Sequence, residues 1–139
     1  MSRLGLLAML FLGGVMATGC GFGEGESTGP GITGVWDGEY VDDFNSLQRF
    51  ITFTITQRQD SVFGRYQCTG SSTAVCTHPA AAGDVTGLVD GNGFVARVRA
   101  DGNSTFTCDY TGTIAGDVIQ GTFQCSDSTD TGTWRVFRS

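Results

Sequence analysis

The chain has no lysine and one histidine; its eight basic side chains are all arginine, set against fourteen Asp and Glu. A body this acidic argues against nucleic acid as a partner and against an electrostatic hold on anionic lipid. The lone His78 sits beside Pro79, and no serine lies in an elbow motif that would make His78 a base for a nucleophile. One histidine also excludes an ordinary zinc site once the cysteines are paired off. No apolar run is long enough to cross a bilayer as a helix, since Leu4 to Met16 spans thirteen residues. The chain reads as helix-free because Gly and Thr are dense throughout, with 22 Gly in all.

What is present begins with a compact N-terminal pattern. Arg3 supplies one positive charge, an uncharged apolar run follows, and small residues close it at Ala17-Thr18-Gly19-Cys20. This is the layout of a secretory signal. The tetrapeptide resembles the bacterial lipobox, with Ala17 and Thr18 standing where Leu and Ala or Ser are commoner. The resemblance implies diacylation of the Cys20 sulfur, cleavage before it and acylation of the new amine. Residues 1–19 are then the lipoprotein signal peptide, and three acyl chains make attachment to the lipid bilayer effectively permanent. The expected place is the bacterial cell envelope, at the outer membrane.

Cysteine parity agrees. Five Cys are odd in an exported chain, but lipid on Cys20 leaves Cys68, Cys76, Cys108 and Cys125 as an even set in an oxidising compartment. Residues 20–31 form a Gly-rich linker, with five Gly and two Glu between Gly21 and Gly31. Those eleven residues span typically about 17–20 Å and at most ~36 Å.

From Ile32 to Ser139 the pattern has period two, broken by Gly, Asn and Asp. It predicts eight short strands over Thr33–Val41, Arg49–Arg58, Ser61–Cys68, Asp84–Asp90, Gly93–Ala100, Thr105–Ile114, Val118–Cys125 and Gly132–Arg138. With Gly91-Asn92 as a two-residue turn, Val89 faces Phe94, Gly87 faces Ala96, Val85 faces Val98 and Asp84 meets Arg99. With Gly116-Asp117 as the next, Ile114 faces Ile119, Tyr110 faces Phe123 and Cys108 falls opposite Cys125. A Cys108–Cys125 bridge follows from that register, and Cys68–Cys76 follows by elimination. Eight meandering strands with recurring inward Gly predict an all-β, eight-stranded antiparallel up-and-down barrel; a two-sheet β-sandwich is the alternative. Trp36, Phe53, Tyr66, Phe94, Tyr110, Phe123 and Trp134 are the expected interior.

Strand counting puts both termini and the tight turns at one end and the longer loops at the other. The far loops carry Asp42, Asp43, Asn45, His78, Asp101, Asn103, Asp127 and Asp130, the candidate contacts for a ligand or partner. Their oxygen atoms suit Ca²⁺ in kind, but the spacing matches no EF-type loop and turn chemistry accounts for them. Asp37, Glu39, Asp84 and Asp90 point outward by phase, so no inward acid serves glycosidase-type chemistry. Arg65, Arg97, Arg99 and Arg135 also point outward, where pairing with Asp84 and neighbouring acids is expected.

Two segments carry a resemblance. Gly31-Ile32-Thr33-Gly34-Val35-Trp36 resembles the opening strand of the avidin and streptavidin family, and Phe63-Gly64-Arg65-Tyr66-Gln67-Cys68 looks like its later Gly-x-Tyr-x-Ser strand. Tyr66 would match the family's biotin-ureido tyrosine. Cys68 stands where the family has serine and Gly38 where it has asparagine, so the resemblance implies shared barrel architecture and not biotin binding. A Gly-x-Trp opening strand is also similar to that of lipocalin-like barrels, which implies that Trp36 plugs one end.

The function expected from the sequence is a non-enzymatic, membrane-anchored module that binds a small ligand or a protein partner through its far loops. No cofactor, metal or catalytic residue is expected. The alternatives are a structural or surface-coat lipoprotein without a ligand, and a protease-inhibitor-like barrel using Gly21–Gly31 as its blocking segment. A filled interior favours a coat or partner role; a cavity open at the far loops favours a small ligand.

Overall fold

A computed structural model describes residues 29–70, 76, 81–103, 105–127 and 130–139. Cys20 and His78 lie outside the described residues, as do the signal segment and the linker up to residue 28. Eight strands run in chain order: β1 (Gly34–Asp42), β2 (Gln48–Arg58), β3 (Ser61–Gly70), β4 (Ala82–Asp90), β5 (Gly93–Ala100), β6 (Thr107–Ala115), β7 (Val118–Cys125) and β8 (Thr131–Arg138). Each pairs antiparallel with its chain neighbours, and β1 pairs with β8, so the sheet closes into a barrel. This is the up-and-down barrel and not the sandwich. Closure leaves no free strand edge for another chain to extend.

The turns set the register as expected. Asp90 faces Gly93 and Ala115 faces Val118, which makes Gly91-Asn92 and Gly116-Asp117 two-residue turns. Both begin with a Gly at positive φ, 54° and 59°, where a side chain is disfavoured. The inward pairs Val89–Phe94, Val85–Val98, Ile114–Ile119 and Tyr110–Phe123 all form. Cys108 faces Cys125 and is bonded to it, and Cys68 is bonded to Cys76.

The seven expected interior rings are all buried, joined by Tyr40. Phe53 lies at their centre, 5.2 Å from the Tyr66 ring, 5.3 Å from Tyr110 and 5.7 Å from Trp134. Phe94 packs 5.6 Å from Trp134, and Phe123 lies 5.2 Å from Tyr40 and 5.5 Å from Tyr110. Each such pair adds about 0.5–1.5 kcal/mol beyond area burial. Small residues make room for this stack. Gly112 faces Gly121, and a Cβ at Gly121 would overlap the Thr111 carbonyl oxygen. The Trp134 indole lodges there, its Nε1 donating to the Thr111 and Thr122 carbonyls at 3.1 Å each.

The tight end is shut by the chain that enters it. Ile32 is fully buried, its N–H donating to Gln57 Oε1 at 2.8 Å, and Trp36 Nε1 donates to the Ile32 carbonyl at 2.8 Å. Arg138 stacks on Trp36 and donates to the carbonyls of Gly31 and Thr33. Gly29 sits so close to the β4–β5 turn that a Cβ there would lie 2.6 Å from Val89 Cγ1. The last residues of the expected linker, 29–31, are therefore docked on the barrel.

Candidate functional site

The opposite end carries the longer loops, and its residues are used differently from the expectation. Asp42 does not stand open in a loop. It is the last residue of β1, in the same inward phase as Trp36 and Tyr40, and it is buried. Arg49 on β2 shares the phase of Ile51 and Phe53, is 5 % exposed, and lies 3.8 Å from Asp42. Its guanidinium sits 5.5 Å from the centre of the Tyr40 ring. Tyr40, Asp42 and Arg49 thus close the far mouth as Ile32 and Trp36 close the near one. A cation over an aromatic face, with a carboxylate at hand, fills a barrel end that apolar side chains alone would leave wet. The spacing of two from Ile51 is the sequence signal that puts Arg49 inward.

From that buried pair the β1–β2 turn is built outward. Asp42 Oδ1 accepts from the Phe44 N–H at 2.7 Å and the Asp42 carbonyl accepts from the Ser46 N–H at 2.8 Å. Asn45 Oδ1 accepts from the Leu47 N–H, and Ser46 adopts a positive φ of 55°. Asp43 ties the turn to the start of β8, donating its N–H to the Thr131 carbonyl and accepting from Thr131 Oγ1. On this hydrogen-bonded turn Phe44 is 89 % exposed. A large aromatic held in water by a turn with fixed geometry is the most conspicuous feature of the far end. In the sequence Phe44 lies between Asp43 and Asn45 in a loop, where no strand period marks its direction.

The other far-loop residues serve their own loops. Asn103 accepts from the N–H and hydroxyl of Thr105, and Asp127 accepts from the Asp130 N–H. Asp101 accepts from Arg65, whose hydrogen bonds hold that carboxyl below its usual range. Among the described residues no group of three or more His, Cys, Asp or Glu could hold a metal ion. Arg65 also binds Asp84 at 2.6 Å, and Arg97 makes a two-pronged contact with Asp109. Asp84 therefore pairs with Arg65 rather than with Arg99, which it meets only in backbone register. Asp84 lies between the two arginines on adjacent strands, and Arg65 also gathers Asp101.

Inside the barrel the Tyr66 and Tyr110 hydroxyls are buried without a hydrogen bond of good geometry. Desolvation pushes both phenols up in pKa, and it pushes Tyr40 up to about 12. Shallow grooves lie on the outer wall. One runs over β1, β2 and β8 between Phe50 and Phe137, with Asp37, Thr52 and Arg135 along it. No family model, curated protein or solved structure matches the chain.

Proposed function

We propose that the chain is a non-enzymatic envelope lipoprotein, anchored through acylated Cys20, that recognises a protein partner with its membrane-distal end. The observation that carries this reading is Phe44, presented on a turn fixed by Asp42, Asp43 and Asn45. Pre-ordered exposed aromatics are typical binding anchors, since little conformational freedom is lost when they are buried. The interior supports a partner over a small ligand, because eight aromatic rings fill it and each end has its own plug. The wall supports a tether over a membrane-spanning barrel. Arg65, Arg97 and Asp109 point outward while the rings point in, the reverse of the lipid-facing pattern. The lipobox and the cysteine parity support the tether itself.

Affinity purification from detergent-solubilised envelopes, with wild type and Phe44→Ala in parallel, tests the reading. An exposed side chain costs at most about 0.5 kcal/mol of stability when removed, so the variant should fold normally. A hot-spot aromatic contributes about 2 kcal/mol or more to binding, so co-purification should fall by roughly 30-fold. The same proteins recovered equally by both chains would refute the role of Phe44. Recovery of none by either would favour the coat role.

A further inference from the structure

The wall near the tether carries its own apolar surface. Phe63 on β3, Leu88 on β4 and Val95 on β5 are 47, 58 and 54 % exposed. Leu88 and Val95 are directly opposed, and Phe63 lies one step diagonally from Leu88 across the β3–β4 ladder. Three adjacent strands span about 10 Å, so these side chains make one continuous patch. Toward the far end the outward positions turn ionic: Arg97 and Asp109 share a register row with Phe63 and Thr86, and Arg65 and Asp84 lie one outward row further on.

The chain reaches the barrel at the same end as this patch. Gly29 abuts the inward-facing Val89 and the carbonyl of Gly91 at the β4–β5 turn, and Leu88, one residue earlier, faces outward on the same strand. From Cys20 to residue 28 there are nine residues, a reach of at most ~32 Å. Resting on the anchored reading above, we propose that the Phe63–Leu88–Val95 face lies against the lipid bilayer that holds Cys20. The barrel then sits wall-on at the membrane, with the Phe44 turn at the end away from the tether.

Charge decides the manner of seating. Asp60 and Asp117 lie in turns of the tight end and Asp90 closes β4 beside the third; with Asp117 paired to Arg138, an end-on seat would press the carboxylates of Asp60 and Asp90 and that ion pair into the bilayer. A wall-on seat leaves them at the side. Arg97 beside the patch is engaged with Asp109 and exposed Arg58 lies at its edge, in the register row of Leu88 and Val95; the contact made by the patch itself is apolar and persists in high salt. The seat adds to the acyl chains and orients what they hold.

The test uses the full mature chain, extracted from membranes and reconstituted in nanodiscs of phosphatidylethanolamine and phosphatidylglycerol carrying a nitroxide-headgroup lipid. Relaxation of methyl signals is compared between Leu88 and Val95 and the outer-wall Val35, which lies at the same end on β1, four strands from β5. Broadening at Leu88 and Val95 at least threefold stronger than at Val35, unchanged in high salt, supports the seat. Leu88→Glu combined with Val95→Glu should abolish the difference while flotation with the discs persists. Equal broadening at Val35, or self-association through the patch, overturns the seat and leaves the anchor standing. A chain whose mass shows no acyl groups refutes the anchor, and the seat with it.

Discussion

The guanidinium of Arg138 lies 4.4 Å from the centre of the Trp36 ring and reaches past it to the carbonyls of Gly31 and Thr33, at 2.8 and 3.0 Å. The last strand thereby clamps the segment that precedes the first. The aromatic face, the planar fork and the two carbonyls form one unit, and a point charge cannot replace it.

Arg138→Leu should cost about 2 kcal/mol, from the lost ring contact and charged hydrogen bonds at a partly exposed site. Arg138→Lys should lose roughly half of that. Urea unfolding measures both. Amide exchange at Ile32, whose N–H is held by Gln57, should quicken in the leucine variant as the segment loosens. Unchanged stability in both variants would show that residues 29–33 are held without Arg138.

The two disulfides should be unequal. The 17-residue separation of Cys108 and Cys125 predicts about 3 kcal/mol of stabilisation from chain entropy, and the eight-residue separation of Cys68 and Cys76 about 2.5. Paired Cys→Ala variants compared by thermal unfolding check the order. Thiol labelling of the unreduced, denatured chain should find none of the four free, and two reactive thiols would contradict the pairing.

Stability should fall at alkaline pH. Tyr40 ionises at about 12 when folded against 10.0 ordinarily, and burial raises Tyr66 and Tyr110 in the same direction. A raised acid pKa stabilises the fold fully below pH 10 and is lost as pH rises from there through the folded value, because the unfolded phenols release protons first. Phenolate absorbance should therefore appear together with unfolding. Titration of all three tyrosines in an intact fold at their ordinary pKa would contradict the buried stack.

Much of this architecture is legible locally. Gly91-Asn92 and Gly116-Asp117 are two-residue turns, so each fixes a whole hairpin register, and Cys108–Cys125 falls out of the second. The β1–β8 pairing joins residues from Asp42–Gly132 to Trp36–Arg138, the Arg138 clamp reaches back further still to Gly31 and Thr33, and no local period reports them. Arg49 is inward by the same alternation that places Ile51 and Phe53, but its charge argues for the surface until Asp42 and Tyr40 are seen around it. The choice of Arg65 over Arg99 by Asp84 depends on side-chain reach, which register leaves open. Phe44 gains its meaning only from the hydrogen bonds that hold its turn.

The tether underlies both the proposed orientation and the reach of the Phe44 turn. The intact mass of the protein extracted from its native membrane tests it most directly. The account predicts a chain that begins at Cys20 with acyl groups on the Cys20 sulfur and amine. An unmodified chain, or one beginning at any other residue, would contradict it.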